Sequence, residues 1–294
     1  MLLNFLKKVV TPTTSENLMT IITPPHTLYL AHLLWHTLVV RGFQVQINVG
    51  EFVGDFSKSR FIVLCPQVFG RLPASYIAFQ MEQIGTHWFD SRYLSLLKNP
   101  GVVILDYSKR NIPYLIEQGI DPHRIKAAQL TVINGYNDFL VGQGLASPMA
   151  VDKEYDVLFY GGINERRFHF LSRLDREYRL KIAVGIFGSP LYGLIARSRV
   201  VVNIHIFDQS PLESTRLFET LSLGARLVSE SAHDLLDYAD LDKQVSIVPI
   251  NDTEAIIQAV RANLQSIETH KMVRPLLPDD NFANAVTWAI SQLG

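Results

Sequence analysis

Cysteine is almost absent: Cys65 is the only one among 294 residues, which excludes an internal disulfide and a multi-cysteine zinc cage and fits a reducing compartment. No uncharged apolar run reaches the about 18 residues that a membrane span needs, and the N-terminus lacks an apolar stretch followed by a cleavage site. A soluble, cytoplasmic protein is the expectation. Excess charge of either sign is missing too, with 27 Lys and Arg against 28 Asp and Glu, so no global positive field gathers nucleic acid and any anion is bound by a local site. The chain carries no G-x-S-x-G, no P-loop and no G-x-G-x-x-G, which removes the main support for hydrolase, NTPase and dehydrogenase readings. Histidines and carboxylates are scattered without metal-ligand spacing, so neither a metal nor a resident cofactor is expected. Low-complexity tracts and internal repeats are likewise absent.

What is present is apolar and finely segmented. A hydrophobic content of 48% over 294 residues fills large cores, and single domains cluster near about 100 to 150 residues, so two domains are expected. Residues 199–230 organise the chain. Val200, Val201, Val202, Ile204 and Ile206 form a β-branched run too apolar for a surface strand, as in a parallel sheet covered on both faces. The loop 207–211 ends it. A helix opening at Ser210 or Pro211 carries Glu213, Arg216 and Glu219 at i, i+3 and i+6, on roughly one face, until Gly224 stops it and residues 226–229 begin another strand. Ligands of open α/β sheets sit beyond the carboxyl ends of the strands, where two carboxylates and a guanidinium suit a sugar hydroxyl, a ribose and a phosphate. The plain alternative is three solvated charges on a helix surface.

In chain order, residues 18–23 read as a strand, 28–40 as a helix, and 43–49, 61–65, 75–79 and 102–105 as strands, with helices at 93–97 and 111–118 and a last strand at 126–133. Such alternation argues for a parallel, doubly wound sheet. Residues 140–152, rich in Gly, Ala, Ser and Pro, read as a linker. A second series follows: strand 155–160, helix 168–176, strand 180–187, helix 191–196, the organising stretch, strand 245–248 and a helix capped by Asp252. After a break at 275–280 comes a final helix, 282–293. The expected units are 1–145, 146–278 and a closing helix in 279–294. Residues 1–10, apolar with two lysines, are expected to pack on the first domain rather than lie on a membrane.

Candidate chemistry lies where strands end. Gly161 and Gly162 free the backbone to approach a phosphate, and Asn164, Arg166 and Arg167 follow at the start of a helix. Two glycines are a weak signal and surface arginines are the alternative. Glu82 stands just past the strand 75–79, Asp106 just past 102–105, and His26 in the first strand-to-helix turn; each is a candidate general base. Their plain readings are a partner of an arginine, a helix cap together with Ser108, and a polar loop residue. His205 and Asn203, on the central strand, read as core residues.

Glu213-x-x-Arg216-x-x-Glu219, with Leu221-Ser222-Leu223-Gly224 and the strand after it, resembles the donor-site helix of GT-B type glycosyltransferases. That family spaces two glutamates eight positions apart, and eight before Glu219 stands Pro211, so Glu219 alone matches and Asp208 is as plausible a substitute for the first glutamate as Glu213. The aromatic strand ending in Glu82 and the segment Asp106-Tyr107-Ser108-x-x-Asn111 resemble bacterial polysaccharide glycosyltransferases of that type. The resemblance implies two Rossmann-like, doubly wound parallel-sheet domains facing a cleft, with the C-terminal helix crossing back to the first domain. It further implies a nucleotide diphosphate sugar on the second domain and a saccharide acceptor on the first, metal-independent transfer in surface polysaccharide synthesis, and peripheral contact with the inner membrane or with other assembly enzymes. The rival readings are a nucleotide-sugar epimerase of the same fold and a two-domain binding protein without catalysis.

Overall fold

The computed structural model describes residues 17–86, 88–144, 151–238, 241–266 and 280–293. Residues 1–10 and the expected boundaries at 145/146 and 278/279 lie outside the described residues.

Two parallel sheets carry the chain. The first contains β1 (Leu18–Thr23), β2 (Gln44–Val49), β3 (Arg60–Leu64), β4 (Tyr76–Gln80), β5 (Val102–Asp106) and β6 (Ile125–Ala127), in the order β2-β1-β3-β4-β5-β6. The helices α1 (Leu28–Val40), α2 (Ser91–Lys98), α3 (Ile112–Glu117) and α4 (Tyr136–Gly142) belong to the same half. The second contains β7 (Tyr155–Tyr160), β8 (Leu180–Ala183), β9 (Ser198–Asn203), β10 (Arg226–Glu230) and β11 (Ser246–Val248), in the order β11-β10-β9-β7-β8, with α5 (Glu165–Asp175), α6 (Ser189–Ala196), α7 (Ser214–Ser222) and α8 (Thr253–Gln265). Strands β3, β4, β5 and β9 are buried almost throughout, as their unbroken apolar runs require of strands covered on both faces. Winding reverses at β1, which lies between β2 and β3, and at β7, which lies between β8 and β9. Crevices open beyond the carboxyl ends of strands at such switch points.

The last helix, α9 (Asp280–Gln292), returns to the first sheet. The Phe282 ring lies 6.1 Å from that of Phe79, Lys126 sits over Trp288, and Arg41 Nε donates to Thr287 Oγ1 at 3.0 Å. One apolar core runs through both halves, from Met19 and Leu34 to Leu217 and Leu221. Hydroxyls stitch it: Tyr29 donates to the Thr131 carbonyl (2.6 Å) and lies 2.9 Å from Ser222 Oγ, while Tyr136 donates to Tyr192 (2.9 Å).

Several elements are shorter than the sequence predicts. Strand β6 ends at Ala127; the Ala128 amide still donates to the Asp106 carbonyl (2.7 Å), but by Ile133 the backbone has turned to the second half, where Ser222 Oγ accepts from the Ile133 amide (2.9 Å). Strand β8 ends at Ala183, and Val184 and Phe187 beyond it are exposed. Helix α7 starts at Ser214, not at 210 or 211, since the Leu212 amide is taken by Asp234 (2.9 Å) and the Ser214 amide by the Leu212 carbonyl (2.7 Å). Of the expected linker, 140–142 belongs to α4 and 145–150 lies outside the described residues.

Candidate functional site

The two switch points face each other across a cleft of about 660 Å³, within the range of about 300 to 1,000 Å³ usual for small-molecule sites. On the second-sheet wall, β7 runs into Gly161, whose φ of +138° is left-handed backbone. A Cβ there would stand 2.5 Å from Arg216 Nη2 and 3.6 Å from Arg167 Nη1, so the glycine admits the guanidiniums as well as the turn. Arg216 Nη1 donates to Asn203 Oδ1 at 2.5 Å, and its guanidinium lies over the Phe159 and Tyr160 rings, 5.4 Å from each centroid. Arg167, 3% exposed, donates to the carbonyls of Gly162 (2.8 Å) and Ile204 (2.9 Å). Glu213 pairs with both arginines and accepts from the Ile206 amide at 3.0 Å. Burial brings the Arg167 pKa down to about 10 against the pull of Glu213. Burial alone would raise the Glu213 carboxyl, but Arg216 and Arg167 outweigh it and the net shift is downward. Two guanidiniums and one carboxylate leave one positive charge beside the turn. Ser214 and Thr215, the first turn of α7, also line the cleft, so the positive end of that helix faces it.

Glu219 lines the same wall and is 7% exposed. Burial raises its pKa to about 7, against the Tyr160 hydroxyl that donates to it at 2.9 Å and the nearby Arg216 charge. Asn164 caps α5, accepting from the Arg167 amide (3.0 Å) and donating to the Ile206 carbonyl (2.7 Å), and Gly162 stands beside it in the cleft lining. Arg166 is turned out of the cleft. Adjacent helical positions are about 100° apart, so Arg166 and Arg167 cannot share a face. Arg166 makes a two-pronged pair with the fully buried Glu230 (2.5 and 2.9 Å) and also holds the exposed Asp208 (2.6 Å). Neither Arg166 nor Asp208 lines the cleft.

The opposite wall carries His26, Cys65 and Glu82. Glu82 Oε1 accepts from Gln67 Nε2 at 2.6 Å. His26 Nε2 is 3.8 Å from Cys65 Sγ, and desolvation by the cleft wall lowers the imidazole pKa. Cys65 directly follows β3 with φ of 51°, unusual for a residue other than glycine, and burial pushes its thiol pKa up. Asp106 is not brought to the cleft. It is fully buried, accepting from the Ser108 amide (2.8 Å), Asn111 (2.9 Å) and Gln80 (3.2 Å), so it closes the turn after β5 and does not cap α3, which begins at Ile112 with Asn111 before it; burial raises its pKa to about 7. His205 is buried with no hydrogen-bond partner at either ring nitrogen among the described residues, and burial lowers its pKa.

Sequence reasoning missed Tyr160, Cys65 and the cleft-lining run Gly185-Ile186-Phe187-Gly188. The two glycines after a strand, at φ of +68° and +63°, were its available signal.

No family model matches the chain, and no curated protein matches it. Among solved structures, Anabaena HepE in complex with UDP and glucose is similar over 94% of this chain and 97% of its own, with a TM-score of 0.52 and 10% identity. The fold is GT-B. A sucrose-phosphate synthase from Thermosynechococcus elongatus is similar at TM-score 0.48 and 10% identity, covering 94% of each chain. A candidate UDP-N-acetylglucosamine 2-epimerase from Listeria monocytogenes is similar at 0.44 and 12%, covering 90% of this chain and 93% of its own. At these identities the likeness is one of fold. A GT-B cleft lies between its two halves, and Gly161, Arg167, Arg216 and Glu219 on one wall face His26, Cys65 and Glu82 on the other.

Proposed function

We propose that the chain is a glycosyltransferase that moves a sugar from a nucleotide diphosphate sugar to a saccharide acceptor. The observation that carries this reading is the pair Arg167 and Arg216, held by the single carboxylate of Glu213 beside the Gly161 turn and facing Glu82 across the cleft. When the bond from the anomeric carbon to the diphosphate breaks, its electron pair leaves with the diphosphate. Preorganised cations in a water-poor site stabilise that developing charge most. The acceptor oxygen forms the new bond to the anomeric carbon and gives its proton to a base; Glu82 takes that role in an inverting reaction, with His26 next. Glu219 accepts a hydrogen bond from a ribose hydroxyl. The UDP and glucose named with HepE support a nucleotide sugar as donor.

The guanidiniums provide the positive charge, so turnover is expected to persist under strong chelation; loss of turnover with recovery in magnesium or manganese overturns metal independence. The setting that fits is surface polysaccharide synthesis in the cytoplasm, with peripheral contact at the inner membrane. No helix among the described residues is long and apolar enough to cross a membrane. Following sugar nucleotides with and without a panel of saccharide acceptors tests the function itself. Consumption only with acceptor is expected; acceptor-free interconversion would identify an epimerase, and binding with no turnover a binding protein.

A further inference from the structure

Beside the main cleft lies a side pocket of about 590 Å³. Its walls come from both halves: Ile84, Gly85 and Tyr114 on one side, Gln209, Pro211 and His233 on the other. Gln83, Thr86, Tyr107 and Phe207 line both spaces, so the two are continuous and the junction is built of an amide, two hydroxyls and an aromatic face. Gln83 directly follows Glu82, and the loop that carries Glu82 into the cleft thus continues as the ledge between cleft and pocket.

Three features at this junction suit one chemistry. Phe207 is 51% exposed, a cost in water that falls when the apolar C–H face of a pyranose covers the ring. Tyr107 is 4% exposed, and its hydroxyl has no well-aligned hydrogen-bond partner among the described residues, since the Asn111 amide beside it donates to Asp106. A buried hydroxyl left unpaired costs the fold, and a ligand hydroxyl reaching the junction removes that cost. Among the described residues one arginine lines the pocket, Arg110, and it donates to Asp237 at 2.8 Å, a carboxylate it shares with Lys109; the remaining walls offer amides, hydroxyls and rings, the His233 imidazole among them. Among the described lining residues a phosphate finds no lysine and no arginine without a carboxylate partner, and a lipid tail finds no continuous apolar wall. A second sugar ring meets both the hydroxyl groups and the aromatic face.

We propose that the acceptor is an oligosaccharide that spans two subsites, with the sugar receiving the glycosyl group at Glu82 and the next sugar in this side pocket, hydrogen-bonded to Tyr107 and stacked on Phe207. The proposal rests on the glycosyltransferase reading and adds the length of the acceptor to it. The experiment measures binding of methyl β-glucoside, β-galactoside, β-cellobioside and β-lactoside to the full chain by saturation-transfer NMR, with UDP and GDP titrated separately. At least one disaccharide is expected to bind about tenfold more tightly than its monosaccharide. Gln209→Trp, which fills the pocket from an exposed position, is expected to erase that advantage while nucleotide affinity stays unchanged. Tyr107→Phe is expected to weaken the disaccharide by about three- to tenfold, the loss of one hydrogen bond, with the fold intact by circular dichroism. Equal affinity within every pair, no binding by either disaccharide, or an advantage that survives Gln209→Trp overturns the proposal. Failure to bind any nucleotide sinks the glycosyltransferase reading instead, so the two failures are told apart.

Discussion

Glu219 is a carboxyl group held in a place that favours its neutral form. Burial raises its pKa to about 7, so the folded state holds a proton that the unfolded chain releases near 4.5. Folding stability from this group is therefore lost as pH rises from about 4.5 to 7, by an amount on the order of 3 kcal/mol. Glu219→Gln has no such loss, and its stability relative to wild type should improve between pH 5 and pH 8 by up to that amount in denaturant titrations; an unchanged difference would show that Glu219 stays ionised. A ribose hydroxyl donates best to the ionised carboxylate, so affinity for a nucleotide sugar, whose diesterified phosphates do not titrate here, is expected to fall as pH drops below about 7. At pH 8 the same variant is expected to lose about 1.5 to 3 kcal/mol of nucleotide binding, the worth of a hydrogen bond to a charged group. Unchanged affinity in a folded variant removes Glu219 from the ribose. Across the cleft, Glu82→Gln is expected to slow transfer by about 10² to 10⁴-fold while donor binding persists. A fall of less than tenfold passes the role of base to His26, because Asp106 is occupied by three donors away from the cleft.

The start of α5 separates two arginines that the sequence places side by side. Arg167 faces the cleft and shares Glu213 with Arg216, while Arg166 neutralises Glu230 at the end of β10. Removing Arg166 leaves a buried carboxylate unpaired, and such breaks cost about 3 to 5 kcal/mol. Arg166→Ala is accordingly expected to lower the midpoint of thermal unfolding while the fraction still folded keeps its affinity for nucleotide. Loss of nucleotide binding without loss of stability would put Arg166 in the donor site. Much of α5 and α7 was legible beforehand: the glycine turn, the capping Asn164, and the i, i+3, i+6 charges all follow from local periodicity. Which of those charges meets a ligand was not legible, since it depends on how the helix is rotated against β9 and β10.

The single core that runs from α1 to α7 makes the two halves one cooperative body. Calorimetry is expected to show one unfolding transition for the ligand-free chain; two well-separated transitions would mean that the Tyr29, Tyr136 and Tyr192 contacts contribute little to holding the halves together. The alternation of apolar strands and helices determined the fold class and both parallel sheets, because patterns with periods of 2 and 3.6 residues act over a few residues and need no distant partner. The turns bearing His26, Glu82 and Gly161 followed from the same local signals. Only the tertiary structure decided that Asp106 is buried in the turn after β5, that Arg166 and Asp208 face away from the cleft, and that Cys65, Tyr107 and Tyr160 face into it. Those outcomes depend on strand order and on the packing of one half against the other, and these join residues such as Tyr160 and Glu219 that stand 59 positions apart in the chain.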